Sequence, residues 1–232
     1  MADEQDIPIT KYPSELHPLV WGDLDEDEAA DPRVRGLHDA LNVGLGAWRA
    51  TVVGHQKVMA DPLSTPDQNM HRSHKAAERR WNEFEGRMMK ELIGAKEEIT
   101  ALDAAMNRAP KMPSEGVALH IAGMLRGLSD EARINLIATA MKNKAMDTVG
   151  AALFFSDPDL FGISPQRREV FKAQYRQAEY PNLLARKARL EKWAEHATRG
   201  LNGYRRDFEK MYDTKRIDAA LKKAQAAAMA LE

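Results

Sequence analysis

The sequence predicts an all-α protein. It would be an elongated helical bundle with two long heptad-patterned helices, a small helical unit between them and an extended acidic N-terminal arm. Three observations carry that expectation. Apolar residues recur at steps of three and four over long stretches. Alanine is abundant while β-branched residues rarely cluster. Pairs of a capping residue and a proline punctuate the chain where helices should open.

The elements divide the chain into an arm over 1–30, a long helical hairpin over 31–109, a small helical unit over 114–163 and basic C-terminal helices over 164–232. In the arm, Pro8, Pro13 and Pro18 interrupt any helix, and DLDEDEAAD is too acidic to fold alone. Within it, Pro18, Leu19, Val20 and Trp21 form an apolar cluster. Two readings stand: this cluster anchors the arm in a neighbour's groove, or Trp21 folds back onto the protein's own helices.

Asp31 and Pro32 open a helix in which Val34, Leu37, Leu41, Leu45, Trp48 and Val52 recur at helical spacing to about Ala60. Four glycines inside it, Gly36, Gly44, Gly46 and Gly54, imply close approach of a neighbour, or a bend. GLG there is not a nucleotide loop, since no strand precedes it and no third glycine falls in step. Thr65, Pro66 and Gln68 form a capping box for the next helix, which meets no proline until Pro110. Its seam runs from Met70 through His74, Ala77, Trp81, Phe84, Met88, Leu92, Ala95, Ile99 and Leu102 to Met106, a heptad repeat with one stutter near Met88. Of these, Trp81, Phe84, Met88, Leu92 and Ile99 are the candidate contact residues, within the fold or against another copy.

Ser114 and Ser129 are expected to cap the two helices of the small unit, the second running unbroken through DEARINLIATAMKNKAMDTVGAALFF. Leu160, Phe161 and Ile163 in the following turn would plug it. Ser164 with Pro165 opens a helix to about Glu179, and Pro181 opens another long one bearing Leu190, Leu201, Tyr204 and Phe208. A last face of Ile217, Leu221, Ala224, Ala228 and Leu231 continues that helix or folds back on it.

The formal charge of −1 conceals an asymmetry. Ten acidic residues stand against one lysine up to Asp31, and sixteen cations against eight carboxylates between Ser164 and Lys223. Solvated surfaces account for such a pattern, and so does attraction of the two ends within one chain or between copies, acting over about 8 Å at physiological salt. The basic side chains Arg186, Lys187, Arg189, Arg205, Arg206, Lys215 and Arg216 lie near Trp193, Tyr204 and Tyr212. That combination suits DNA or RNA, with interleaved carboxylates arguing for a solvated face instead.

Catalytic and cofactor motifs are missing. There is no phosphate-binding loop, no serine elbow and no HExxH helix. None of the seven histidines has a glutamate three residues before it, which removes the usual di-iron bundle site. His71 and His74 are two imidazoles on adjacent faces, and two do not make a metal site. Glu83, Glu85, Glu91, Glu97 and Glu98 lie off the seam, as ion-pair partners for nearby lysines rather than general acids. With no cysteine there is no thiol chemistry. The sequence thus predicts a non-enzyme without cofactor or metal. The start MADEQDIPIT lacks the features of a signal peptide, and no apolar run reaches membrane-spanning length.

LRGLSDEARINLIATAMKNKAMDTVGAALFFSDPDLFGISPQRREVF, residues 125–171, resembles a group of uncharacterised helical proteins encoded among tailed-phage and prophage genes. The shared elements are the helix start Leu128 to Arg133, the Ala-x-Leu ending at Ala151 to Leu153, and the Leu160 to Ser164 turn. Asn143 and Lys144 stand where that pattern has Gly-Asp. The group brings no catalytic residues. It implies a structural or assembly role in a bacteriophage virion, head- or neck-associated. The partners would be other copies of the chain, other virion proteins or packaged nucleic acid, with the protein in the virion or host cytoplasm.

Overall fold

Helix starts are where the sequence is most explicit, and the fold follows them. In a computed structural model that describes residues 12–212 together with Lys215, Ile217, Ala219, Lys222 and Ala226, all regular structure among the described residues is helical. Residues 1–11, Arg216, and the face residues Leu221, Ala224, Ala228 and Leu231 lie outside the described set. The elements are α1 (Pro18–Trp21), α2 (Glu26–Ala30), α3 (Pro32–Met59), α4 (Pro66–Met106), α5 (Glu115–Arg126), α6 (Asp130–Lys142), α7 (Met146–Val149), α8 (Pro165–Glu179) and α9 (Pro181–Met211). Proline occupies the first turn of α1, α3, α4, α8 and α9, where a missing N–H costs nothing. Asp31, Ser129 and Ser164 cap through their side chains, and Thr65 and Gln68 exchange the two bonds of a capping box. Ser114 precedes α5 without a side-chain cap bond.

The chain divides into two units, Met1–Glu98 with Arg189–Glu232, and Ile99–Ala188. These boundaries differ from those read in sequence. The segment before Asp31 belongs to the first unit, and α8 groups with the small helical unit instead of the basic C-terminal helices.

In the first unit α3 and α4 form an antiparallel hairpin and α9 packs along it. The seam of α4 faces inward: Ala77, Phe84, Met88 and Ala95 are buried, with Trp81 and Leu92 half-buried. Close approach explains Gly44, one of the four glycines noted in α3, and also Gly200 on α9. A Cβ on Gly44 would stand 2.4 Å from the Phe84 ring, and one on Gly200 would stand 2.6 Å from Leu41. Helices meet there at backbone distance. Gly46, by contrast, faces open space.

The second unit gathers Ile121, Leu125, Ile137, Leu153, Phe161 and Phe171 into one core. The unbroken helix expected after Ser129 is broken. Helix α6 stops at Lys142, Lys144 takes a left-handed backbone at φ 53°, and α7 leads into a π-helical turn over Gly150–Phe154. Gly150 is required at that turn, because a Cβ would fall 2.0 Å from the Lys111 carbonyl oxygen.

Two stability measurements check this packing. Gly44→Ala should destabilise by about 1–3 kcal/mol through overpacking against Phe84, while Gly46→Ala should gain up to about 1 kcal/mol of helix propensity. Lys144→Gly should stabilise by about 1 kcal/mol, because a left-handed backbone penalises any side chain with a Cβ. Denaturant unfolding of each variant reads these signs.

Candidate interaction surface

The N-terminal segment is not an extended arm over its described part. A 3-10 turn at Ser14–Leu16 leads into α1, whose first turn is capped by His17 Nδ1 accepting from the Leu19 N–H. Asp25 and Glu28 form a reciprocal capping box on α2. These turns put Leu16 and Trp21 on the inner side, where both are buried. Trp21 lies edge-on to His38 and Trp193, with ring centroids 5.1 Å and 6.4 Å away. Leu16 sits over Gly200. Of the proposed anchor, then, Trp21 is core of its own chain. Pro18 is half-buried, and Leu19 and Val20 stay exposed at 85% and 47%. A helical turn cannot aim consecutive residues the same way, which is why the cluster splits.

Charge draws the same segment onto α9. Arg206 donates to both Glu15 oxygens at 2.6 Å and 3.1 Å, Arg189 reaches Asp27 at 3.3 Å, and Lys192 reaches Glu28 at 2.7 Å. The asymmetry seen in sequence is resolved within one chain. Hydrogen bonding by Arg206 holds the Glu15 carboxyl down to about 2. At Glu28 burial by itself favours the neutral acid, but bonds from Lys192 and the Asp25 N–H outweigh it, and the net shift is downward.

The seam residues fare similarly. Phe84 and Met88 are fully buried, and Trp81 and Phe84 pack on Tyr204 at 5.0 Å and 5.2 Å. Leu92 and Ile99 are half-buried. Phe84 and Met88 are thus core of the first unit, while Ile99 falls in the second.

The residues offered as a nucleic-acid face are largely engaged by carboxylates. Lys187 reaches Asp103 at 2.6 Å, Arg189 and Arg206 are paired as above, and Arg205 donates to Glu85 at 2.5 Å while lying over the Trp81 ring. Arg186 also has an interaction partner, and Lys215 is exposed. Three of the α4 carboxylates pair across helices, Glu91 and Glu98 with Arg33 and Glu85 with Arg205.

The polar groups inside are structural. His55 Nδ1 lies 3.0 Å from the Ser73 hydroxyl, which lies 2.8 Å from the Tyr212 hydroxyl, tying α3, α4 and the end of α9 together. Burial pushes the His55 pKa down, which suits a neutral imidazole. Ser73 resembles a nucleophile beside a base, but a hydroxyl on a residue 3% exposed offers a substrate no approach. His74 packs on Phe208 and Tyr212. Among the described residues no group of three His, Asp or Glu is placed to hold a metal.

Two arginines tie turns of the second unit together: Arg133, noted in sequence only as the end of a helix start, and Arg168, which the sequence did not single out. Arg133 donates to the carbonyls of Leu125, Leu128 and Gly162 and to Asp130. Gly162 has φ +64°, and a Cβ there would press on the guanidinium at 3.2 Å. Arg168, buried, donates to the carbonyls of Leu153 and Phe155 where the π-turn ends. Arg133 also lines a shallow pocket of about 140 Å³ with Asp130, Ile137, Gly162, Arg167 and Phe171. That volume falls below the roughly 300 Å³ at which ligand sites begin, and Arg133 is already engaged by three carbonyls and Asp130.

Truncation should separate core from surface in the N-terminal segment. Trp21→Ala should cost about 3–5 kcal/mol, and Leu19→Ser should leave the unfolding midpoint unchanged. Acid tests the ion pairs. A carboxyl whose folded pKa lies below the ordinary 4.5 stabilises the fold above that value, and the contribution disappears as pH falls towards the folded pKa of about 2. Tryptophan emission should therefore hold from neutral pH down to about 4.5 and shift red below it. Glu15→Gln with Glu28→Gln should remove that shift.

No protein-family model, no curated protein and no solved structure matches this chain at a significant level.

Proposed function

We propose that this chain is a non-enzymatic structural or assembly protein acting through helix-to-helix contacts, a head- or neck-associated component of a bacteriophage virion. The observation that carries the reading is where apolar surface is spent. The heptad seam of α4 is turned inward within the first unit as far as Ala95, yet Met112, Val117, Leu119 and Met124 stand outward within thirteen residues of the second, each 42–50% exposed. Large apolar side chains grouped in that way on a surface suit contact with another protein. The resemblance of residues 125–171 to phage-encoded helical proteins supplies the setting. Leu19 and Val20 remain available to a neighbour at the N-terminal segment, without Trp21.

Further support comes from the chemistry. Half-buried His55 with buried Ser73 and Tyr212 tie helices to one another, and buried Arg168 ends on a backbone carbonyl. Contact with DNA or RNA through Arg189, Arg205 and Arg206 would require breaking their carboxylate pairs, which favours the assembly reading. No described helix is long and apolar enough to cross a membrane.

Composition of particles tests this reading. Mass spectrometry of purified virions of the encoding phage should find the chain in fixed stoichiometry with the head or neck proteins. Its absence from particles, with assembly undisturbed by its deletion, would overturn the proposal. A salt titration of DNA binding should show no more than weak affinity at low salt, whereas a slope of several units would favour the nucleic-acid alternative.

A further inference from the structure

Helix α5 buries Ala118, Ile121, Ala122 and Leu125 in the core of the second unit and turns its other side to solvent. At 100° per residue the middle of that outer side is a line of Gly116, His120, Gly123 and Gly127. Val117 and Met124 rise along one flank, 43% and 42% exposed, and Leu119 along the other at 50%. A side chain added at Gly116 or Gly123 would meet nothing within 4 Å. The chain's own packing therefore does not call for glycine there, although each costs about 1 kcal/mol of helix propensity relative to alanine. The result is a shallow trough with apolar walls.

The trough fits itself. A two-fold axis through His120, relating antiparallel copies of α5, brings like flank against like flank. With a rise of about 1.5 Å per residue, Val117 lies about 4.5 Å to one side of His120 and Met124 about 6 Å to the other, so each meets the other's symmetry mate. Gly116 and Gly123 oppose each other within about the same 1.5 Å, which lets the two backbones approach. On the opposite flank Leu119 meets its own copy near the axis. Beyond it Glu115, about 7.5 Å out, meets Arg126, about 9 Å out on the other copy. Both ends of the contact thus receive a pair of opposite charge. Glu115 and Arg126 are exposed, and Arg126 spends one N–H on the Asp159 carbonyl.

We infer that α5 is a self-association site, joining two copies of this chain antiparallel about His120. The inference deepens the proposed assembly role and rests on it only for the expectation that the chain works in multiple copies. Twelve residues of helix span about 18 Å. The contact is therefore smaller than the roughly 800 Å² per partner of standard interfaces, and association should be weak and concentration-dependent.

Sedimentation velocity of the full chain across a micromolar-to-millimolar range tests this. The expected result is a dimer whose share grows with concentration. Gly123→Glu places a side chain in the trough without touching its own fold, and should abolish the dimer while leaving the melting temperature unchanged or higher. Glu115→Arg should weaken association about tenfold, and adding Arg126→Glu should restore it. A monomer at every concentration, or a dimer indifferent to Gly123→Glu, overturns the inference. Either result is independent of whether the chain is found in virions, so the two ideas fail separately.

Discussion

The Tyr204 ring is the point on which the first unit turns. Trp48 from α3, Trp81 and Phe84 from α4, and Phe208 one turn along α9 all pack against it. Its hydroxyl meets Thr51 at 3.2 Å in a buried bond. Burial raises the phenol pKa, so the group stays neutral. Aromatic contacts of this kind contribute beyond their buried area. They also fix the rotation of α9, since Tyr204 can reach all four neighbours in one orientation only. Once α9 is set, its basic side is placed under the acidic N-terminal segment.

That placement accounts for the electrostatics. A near-neutral chain with oppositely charged ends could have remained polarised and steered partners. Instead Glu15, Asp27 and Glu28 meet Arg206, Arg189 and Lys192 across gaps of 162 to 191 residues in sequence. Individually exposed pairs contribute little. Their consequence here is specificity: they select one docking of short, intrinsically weak helical turns that Leu16 and Trp21 then anchor by burial.

In the second unit the same principle operates through arginine and the backbone. The helix start from Leu128 to Arg133 and the turn from Leu160 to Ser164 look unrelated in sequence. Spatially they are one device, since Arg133 closes the α5–α6 corner and clamps the left-handed Gly162. Guanidinium donors suit this task because several N–H groups can satisfy carbonyls that no helix claims. At the end of α6, Lys144 adopts a left-handed backbone that a glycine would take at no cost.

What the sequence determined by itself is local and periodic. The starts of α3, α4, α8 and α9, the length of α4 and the inward faces of Leu37, Phe84, Met88 and Leu201 follow from prolines, caps and the three-four spacing, which depend only on neighbours along the chain. The tertiary structure decided which partner covered each face. Trp21 reads as an anchor in sequence and is core in space, because α1 rotates it away from Leu19 and Val20. Arg168 carried no signal, and Arg133 stood in a helix start without a role, since the carbonyls they satisfy converge on them only once the corner after α5, the Gly162 turn and the π-turn have formed. The cations of α9 read as a surface for phosphate, yet carboxylates brought close by folding occupy them. Periodicity records that a side chain must be buried or solvated; only the arrangement of whole helices specifies against what.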